Sequence, residues 1–598
     1  MRNLRQLILS LGLLALALTS CATADLQHSA RRTVPTPVPA SSGLAAETAP
    51  IIDYRERFLP IVARHGMVVG PEQLATEVGV QMLREGGNAV DAAVATGFAL
   101  AVTYPRAGNL AGGGFMLIHL ANEHRQTLID YRETAPTGAS RDMFLDAEGN
   151  LDRQKEYFSL QSAGVPGTVA GLLYALEKYG TLSRAQVLAP AIALATRGIP
   201  VSFGLYFEMN ANAAQLRANP AAARVFFHPD GTPYEIGDNW QQPDLAWTLE
   251  RIQAQGIPGF YSGDVAKRIT TAMATGGGLI TAADLANYRV VEREPVRGTY
   301  RGFDIVSTPP PSSGGVHILE MLNILEGYDL KAMGHNSAAY VHHLTESMKL
   351  AYADRSLYLG DPDFVPVPVA QLTDKAYAAR QRQRIDSNHA TPSADIAPGQ
   401  PVGEESTETT HYSVADRFGN VVSNTYTLNF SFGSNIVVPG TGMLLNNEMA
   451  DFTTSPDVAN AFGLVQGEAN NIEPGKRPLS SMSPTIVLRD GKPWLATGSP
   501  GGSAIISTVL QLLLNTMEFD MNVATAAAEP RIHHQWMPDV LQMEQGFSAD
   551  TIRLLQAMGQ QVDSADRTTG RTNSIMLGDG WLYGASDPRR PGGWVAGY

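Results

Sequence analysis

The chain runs to 598 residues, 44% apolar and 17% charged, with 57 glycines and 37 prolines. It reads as an ordinary globular chain rich in tight turns, long enough for several domains or one large layered core. A formal net charge of -14 argues against the positive field that phosphate backbones or an anionic bilayer would need, so small molecules are the expected partners.

The first 26 residues carry Arg2 and Arg5, an apolar run from Leu7 to Leu18 and then small residues, the order of charge, hydrophobe and cleavage site in a secretory signal. The run is too short for a confident membrane span. Leu18-Thr19-Ser20-Cys21 resembles a bacterial lipobox, and Cys21 is the single cysteine, so neither an intramolecular disulfide nor a cysteine metal cluster can form. Cleavage before Cys21 with lipid on its thiol predicts a periplasmic protein anchored to the outer membrane. Cleavage after Ala24, at Ala22-Thr23-Ala24, predicts a soluble periplasmic one. Residues 1–24 are thus a signal region, and the Pro-, Ala-, Thr- and Ser-rich residues 25–50 a flexible tether.

From Pro71, PEQLATEVGVQMLREGGNAVDAAVATGFALAV predicts a helical hairpin. Val78, Met82 and Leu83 have helical spacing, Gly86-Gly87 suits a left-handed C-terminal cap, and Asn88 and Asp91 suit the next N-terminus. FMLIHLANEHRQTLIDYRE predicts paired strands. Helices are expected between about Pro166 and Ala274, in VHILEMLNILEGYDL and in HHLTESMKLAYADRS, so the first half reads as mostly helical. Residues 372–408 are polar and Pro/Gly-bearing and read as an exposed loop. Three hairpins then follow: HYSVA with VVSNTYTLN, PTIVLRDGKPWLATG around Asp490-Gly491, and SIMLGDGWLYGAS around Gly578-Asp579-Gly580. Helices return at IISTVLQLLLNTM and ADTIRLLQAMG, and strands and helices on both sides of the loop favour a layered α/β architecture.

No phosphate loop is present, since AGGGF at 111–115 lacks the lysine, and no G-x-S-x-G elbow occurs. His342-His343 and His533-His534 lack metalloprotease spacing, so no catalytic metal is expected. A serine acylase built on PLSSMSP stays open. There remain Thr409 and Thr410 in TETTHYSV, just where the loop ends. Such threonines suit a strand start. They also suit a nucleophile: an N-terminal Thr carries its own base, because an α-amine of pKa near 7.7 to 8.0 leaves roughly one amine in eight neutral at pH 7. That reading requires the bond before Thr409 to be cut.

TTHYSV, TYTLN, LLNNEMADF, GKRPLSSMSPTIV and TGSPGG resemble the small subunit of γ-glutamyltranspeptidases, which are N-terminal-nucleophile hydrolases. EGGNAVDAAVA, AGNLAGGGFMLI, DYRETAP, GVPGTVAG, PPPSSGG and AYADRS resemble the large subunit. The resemblance implies an αββα sandwich from one precursor that cuts itself between Glu408 and Thr409 into subunits 51–408 and 409–598, which stay together as a heterodimer. It implies that Thr409 is the nucleophile, Thr427 positions it, and the N–H groups of Gly501 and Gly502 hold the oxyanion. Arg132, Ser480 and Ser481 would take the substrate α-carboxylate. Asn429, Glu448 and Asp451 would take its ammonium, with Glu448 at a position where relatives vary between Gln and Glu. Phe462 stands where bacterial relatives often carry a lid Tyr, which leads us to expect easier entry of water. The implied substrates are glutathione and related γ-glutamyl compounds, with water, amino acids or dipeptides as acceptors and no cofactor. A cephalosporin-acylase-like amidase and a non-catalytic binding lipoprotein are the alternatives.

Overall fold

Side-chain alternation along the strands decides the layering. In Gly113–Leu120 all eight residues are buried, yet Phe115 and Leu117 belong to one hydrophobic cluster and Met116 and Ile118 to another. Successive side chains leave a strand on opposite faces, so this strand has a core on each side. The computed structural model describes residues 55, 57–396, 409–454, 464, 467–589 and 591–598, and within them two seven-stranded sheets share the first cluster. One sheet has the order Trp594–Gly597, Gly66–Gly70, Thr410–Asp416, Val421–Thr427, Gly113–Leu120, Arg125–Asp130, Val291–Arg293. The other runs Ile61–Ala63, Trp581–Ser586, Asn573–Gly578, Lys492–Thr497, Thr485–Arg489, Phe303–Ser307, Val296–Tyr300. Both are antiparallel.

Helices cover the outer faces. Gln73–Arg84, Ala89–Thr103, Thr168–Tyr179 and Arg184–Arg197 supply the second cluster, while Gly314–Leu325, Ala338–Tyr358 and Ala504–Met517 extend the first. The order helix, sheet, sheet, helix is the expected αββα sandwich. Strands from both sides of residue 409 interleave in both sheets, so the two parts of the chain share one core.

The helical hairpin forms for the reasons read from its sequence. Asn88 Oδ1 accepts from the N–H groups of Val90 and Asp91 while Asp91 Oδ2 accepts from Asn88 N at 2.8 Å, a reciprocal cap. All three predicted strand hairpins and both later helices are present. Two readings need correction. The interval 372–408 is not all loop: Lys375–Arg382 is helical, capped by Asp374 and docked through Arg382, which donates to the carbonyls of Ile324 and Asn323 at 2.8 Å. A charged sequence hid a helix whose partner lies elsewhere. The first half also holds more strand than expected, at Gly66–Gly70, Val291–Arg293, Val296–Tyr300 and Phe303–Ser307; these are short, and their pairing partners are mostly distant in sequence.

Candidate active site

Register places the threonines. Thr410 pairs with Tyr426 across the hairpin Thr410–Asp416 and Val421–Thr427, so one further step sets Thr409 opposite Thr427. Tyr412 and Val414 pack with the outer helices and Ala415 with the second sheet; by alternation Thr409 and His411 face the space between the sheets and Thr410 faces the helices. Thr409 is buried, and it lines a cleft of about 330 Å³ together with Thr427, Asn429, Arg132, Glu448, Asp451, Ser480, Ser481 and Gly502. Residues distant in sequence are thereby brought to one place. A larger, more apolar cavity of about 1180 Å³ lies past Thr410 among Tyr104, Phe203 and Phe207, and none of the expected site residues lines it.

His411 is not placed to act as a base. Its Nδ1 bonds Thr425 Oγ1 at 2.9 Å and its Nε2 bonds Ser413 Oγ at 3.1 Å. Burial pushes its pKa down to about 3, so it stays neutral. Gly498 has to be glycine here, since a Cβ would stand 2.4 Å from that ring. Thr427 Oγ1 accepts from Asn429 N at 2.8 Å, which fixes its rotamer beside Thr409. Gly501 and Gly502 have φ of 138° and 54°, backbone that favours glycine. They lie immediately before the fully buried helix Ala504–Met517, whose N-terminal N–H groups and dipole favour developing negative charge.

The other end of the cleft is ionic. Arg132 follows the strand Arg125–Asp130 and is braced by Tyr288, whose hydroxyl donates to Arg132 O at 2.9 Å, and by Asp130, which accepts from Arg132 N at 2.9 Å. Its guanidinium pairs with Glu448 through Nη1 and with Asp451 through Nη2 at 2.5 Å, with Glu133 at 3.6 Å. Burial opposes that charge, but Glu448, Asp451 and Glu133 outweigh it and hold the pKa of Arg132 above its ordinary value. Burial raises all three carboxyls, Glu133 up to about 8, although Arg132 counteracts it in each. Glu448 and Asp451 share one short 3-10 turn, fixed where Asn446 Oδ1 accepts from Glu448 N at 3.0 Å and Asn470 Nδ2 donates to Asp451 O at 2.7 Å. Asn429 donates through Nδ2 to Asn447 O at 3.0 Å. Its Oδ1 and Glu448 Oε2 are buried acceptors without a hydrogen-bond partner among the described residues. Each costs about 1–3 kcal/mol or more, a cost that suits a site built to receive donors.

Ser480 Oγ accepts from Met482 N at 3.0 Å, and Ser481 Oγ accepts from Arg355 Nη2 at 3.2 Å. Arg355 also lines the cleft and the sequence reading assigned it no role, although it lies in AYADRS. It sits in the last turn of the helix Ala338–Tyr358, and its place in that motif was the available signal. Glu408, Phe462 and Cys21 lie outside the described residues.

The cleft thus joins the Thr409 side chain, the backbone at Gly502 and the paired charges of Arg132, Glu448 and Asp451, while Gly501 is not among its lining residues. A family model described as Gamma-glutamyltranspeptidase matches residues 75–597. The chain is 52% identical over 561 residues to the glutathione hydrolase proenzyme of Escherichia coli K12, covering 93% of this chain and 96% of that one. Among solved structures it is similar to cephalosporin acylase from Bacillus halodurans, with a TM-score of 0.80 and 28% identity over 92% of this chain and 98% of that one. Helicobacter pylori gamma-glutamyltranspeptidase is also similar, with a TM-score of 0.54 and 46% identity over 55% of this chain and 93% of that one. The chain belongs to the γ-glutamyltranspeptidase family.

Proposed function

We infer that this protein is a glutathione hydrolase and γ-glutamyltransferase made as a self-cleaving proenzyme. One observation carries the reading: a single buried cleft holds Thr409 at one end and Arg132 with Glu448 and Asp451 at the other, and a free α-amino acid end needs both charges at fixed separation. In processing, Thr409 Oγ1 attacks the Glu408 carbonyl, the C–N bond between Glu408 and Thr409 breaks to leave an ester and a free Thr409 amine, and water hydrolyses that ester to a Glu408 carboxylate and the restored Thr409 hydroxyl. In turnover the amine takes the hydroxyl proton as Oγ1 attacks the substrate γ-carbonyl, and it returns that proton to the departing amine. The oxyanion is held by the N–H groups of Gly501 and Gly502, and Thr427 positions the nucleophile. Water or an amino acid or dipeptide then accepts the γ-glutamyl group from the ester. No step calls for a cofactor.

Residues 51–408 and 409–598 form the two subunits of the processed heterodimer, and the interleaving of their strands supports their staying together. A lipid on Cys21 would hold the protein at the periplasmic face of the outer membrane; labelling with a radioactive fatty acid tests this, and unlabelled mature protein removes it. Similarity to a cephalosporin acylase favours a second reading, in which the acyl group lacks an amino acid end. Such a substrate has no use for Arg132 and Asp451 together, so the paired charges support the γ-glutamyl class. The decisive experiment is a denaturing gel with N-terminal sequencing of the smaller band, followed by assay of γ-glutamyl release from glutathione. A band beginning TTHYSV with release supports the reading; full-length protein that binds glutathione without cleaving it would establish a capture protein instead.

A further inference from the structure

Two guanidinium groups line the cleft, and they are held differently. Arg132 meets three carboxylates. Arg355, 2% exposed near the end of the helix Ala338–Tyr358, meets hydroxyls: Nε donates to Ser313 Oγ at 2.9 Å and Nη2 donates to Ser481 Oγ at 3.2 Å. Its Nη1 is buried with no hydrogen-bond partner among the described residues. Among the described residues no carboxylate lies within ion-pair distance of Arg355, and Asp451 acts on it only from further off; a buried cation so placed is expensive, and a neutral side chain of similar volume would serve the core better. The cost points to a ligand that brings the missing negative charge.

The hydrogen-bond directions say which ligand. A guanidinium has only donors, so Ser481 Oγ must accept from Arg355, and its own proton is turned elsewhere. Ser313, which accepts from Arg355, passes its proton to Ser480 O at 2.9 Å, and Ser313 N donates to the same carbonyl at 2.8 Å. Arg355 therefore braces both serines that line the cleft. Arg132 already carries Glu448 and Asp451, the acids expected to face the ammonium, so on its own it offers a substrate carboxylate little uncompensated charge. Resting on the γ-glutamyl reading above, we propose that Arg355 is the second cationic arm of the site and a determinant of specificity for donors with a free α-carboxylate. Through Ser481 it aims a hydroxyl donor at that carboxylate, and its Nη1–H binds one carboxylate oxygen.

The test compares L-γ-glutamyl-p-nitroanilide with its α-carboxamide counterpart in the processed enzyme, in wild type, Arg355→Met and Arg355→Lys. Loss of a charged hydrogen bond and of an oriented hydroxyl predicts that Arg355→Met raises KM for the acid by about 30-fold, with kcat and the amide's KM within about threefold of wild type. Arg355→Lys keeps the charge without the fork and should recover about half of that loss on a logarithmic scale. Subunit cleavage and the melting temperature report folding in each variant. An equal loss for acid and amide, or an unchanged KM for the acid, overturns the assignment. So does failure of both variants to mature, which would make Arg355 a structural residue. Wild type that releases nitroaniline from neither compound overturns the γ-glutamyl reading itself.

Discussion

The two ends of the cleft are built on different physics. At the Thr409 end the parts are neutral and held by backbone: strand register, a threonine fixed by Asn429 N, glycines at positive φ and a histidine kept uncharged by burial. At the Arg132 end the parts are buried ions that hold one another in place. The first end gains rigidity from a sheet that would form in any case. The second is expensive to desolvate and depends on every partner being present. On the proposed reading, chemistry falls where geometry is cheapest to maintain, and recognition where charge can discriminate.

Removing the proposed nucleophile should separate the two ends most sharply. Thr409→Ala is expected to abolish subunit cleavage and lower turnover by more than about 10⁴-fold while leaving the melting temperature nearly unchanged; a cleaved and active variant would refute the assignment. Arg132→Ala strands Glu448 and Asp451 in the core and is expected to cost about 3–5 kcal/mol of stability, measured by denaturant unfolding of the intact chain. Asp451→Asn keeps the shape but removes one charge, so KM for a γ-glutamyl donor should rise about 10- to 100-fold with subunit cleavage intact.

The ends should also answer pH in opposite directions. His411 has its folded pKa depressed to about 3 from 6.5, so its stabilising effect is present above 6.5 and is lost as pH falls toward 3. Glu133 has its folded pKa raised to about 8 from 4.5; its effect is present below 4.5 and is lost as pH rises through 8. Each contributes a slope of up to about 1.4 kcal/mol per pH unit in its window. Unfolding midpoints should show His411→Gln flattening the acid side and Glu133→Gln the alkaline side. The smallest expected effect is on catalysis by His411→Gln, whose pH-rate profile should keep the acid limb set by the Thr409 amine; a limb that moves by more than about half a unit would make the histidine a participant.

The hairpin around Thr410–Asp416 was legible because HYSVA and VVSNTYTLN are bounded by a polar turn, and the cap at Asn88 because its chemistry is local. The helix Lys375–Arg382 was not, since only docking on the carbonyls of Asn323 and Ile324 gives that charged stretch a reason to be helical. Arg355 escaped for a similar reason. In sequence it is one charge in a helix, and only packing shows that its neighbours are the serines of a distant loop.

By itself the sequence determined the elements whose causes lie within about a dozen residues and, through several ordered motifs, the family, and it singled out Thr409 as the residue to test. Tertiary structure alone decided which face of the strand Thr409 occupies, that His411 is neutral and engaged elsewhere, and that Arg132 and Arg355 differ in what they pair with. Burial and pairing between residues hundreds of positions apart set those properties, because the electrostatic state of a buried group depends on its whole surroundings and on no stretch of chain taken alone.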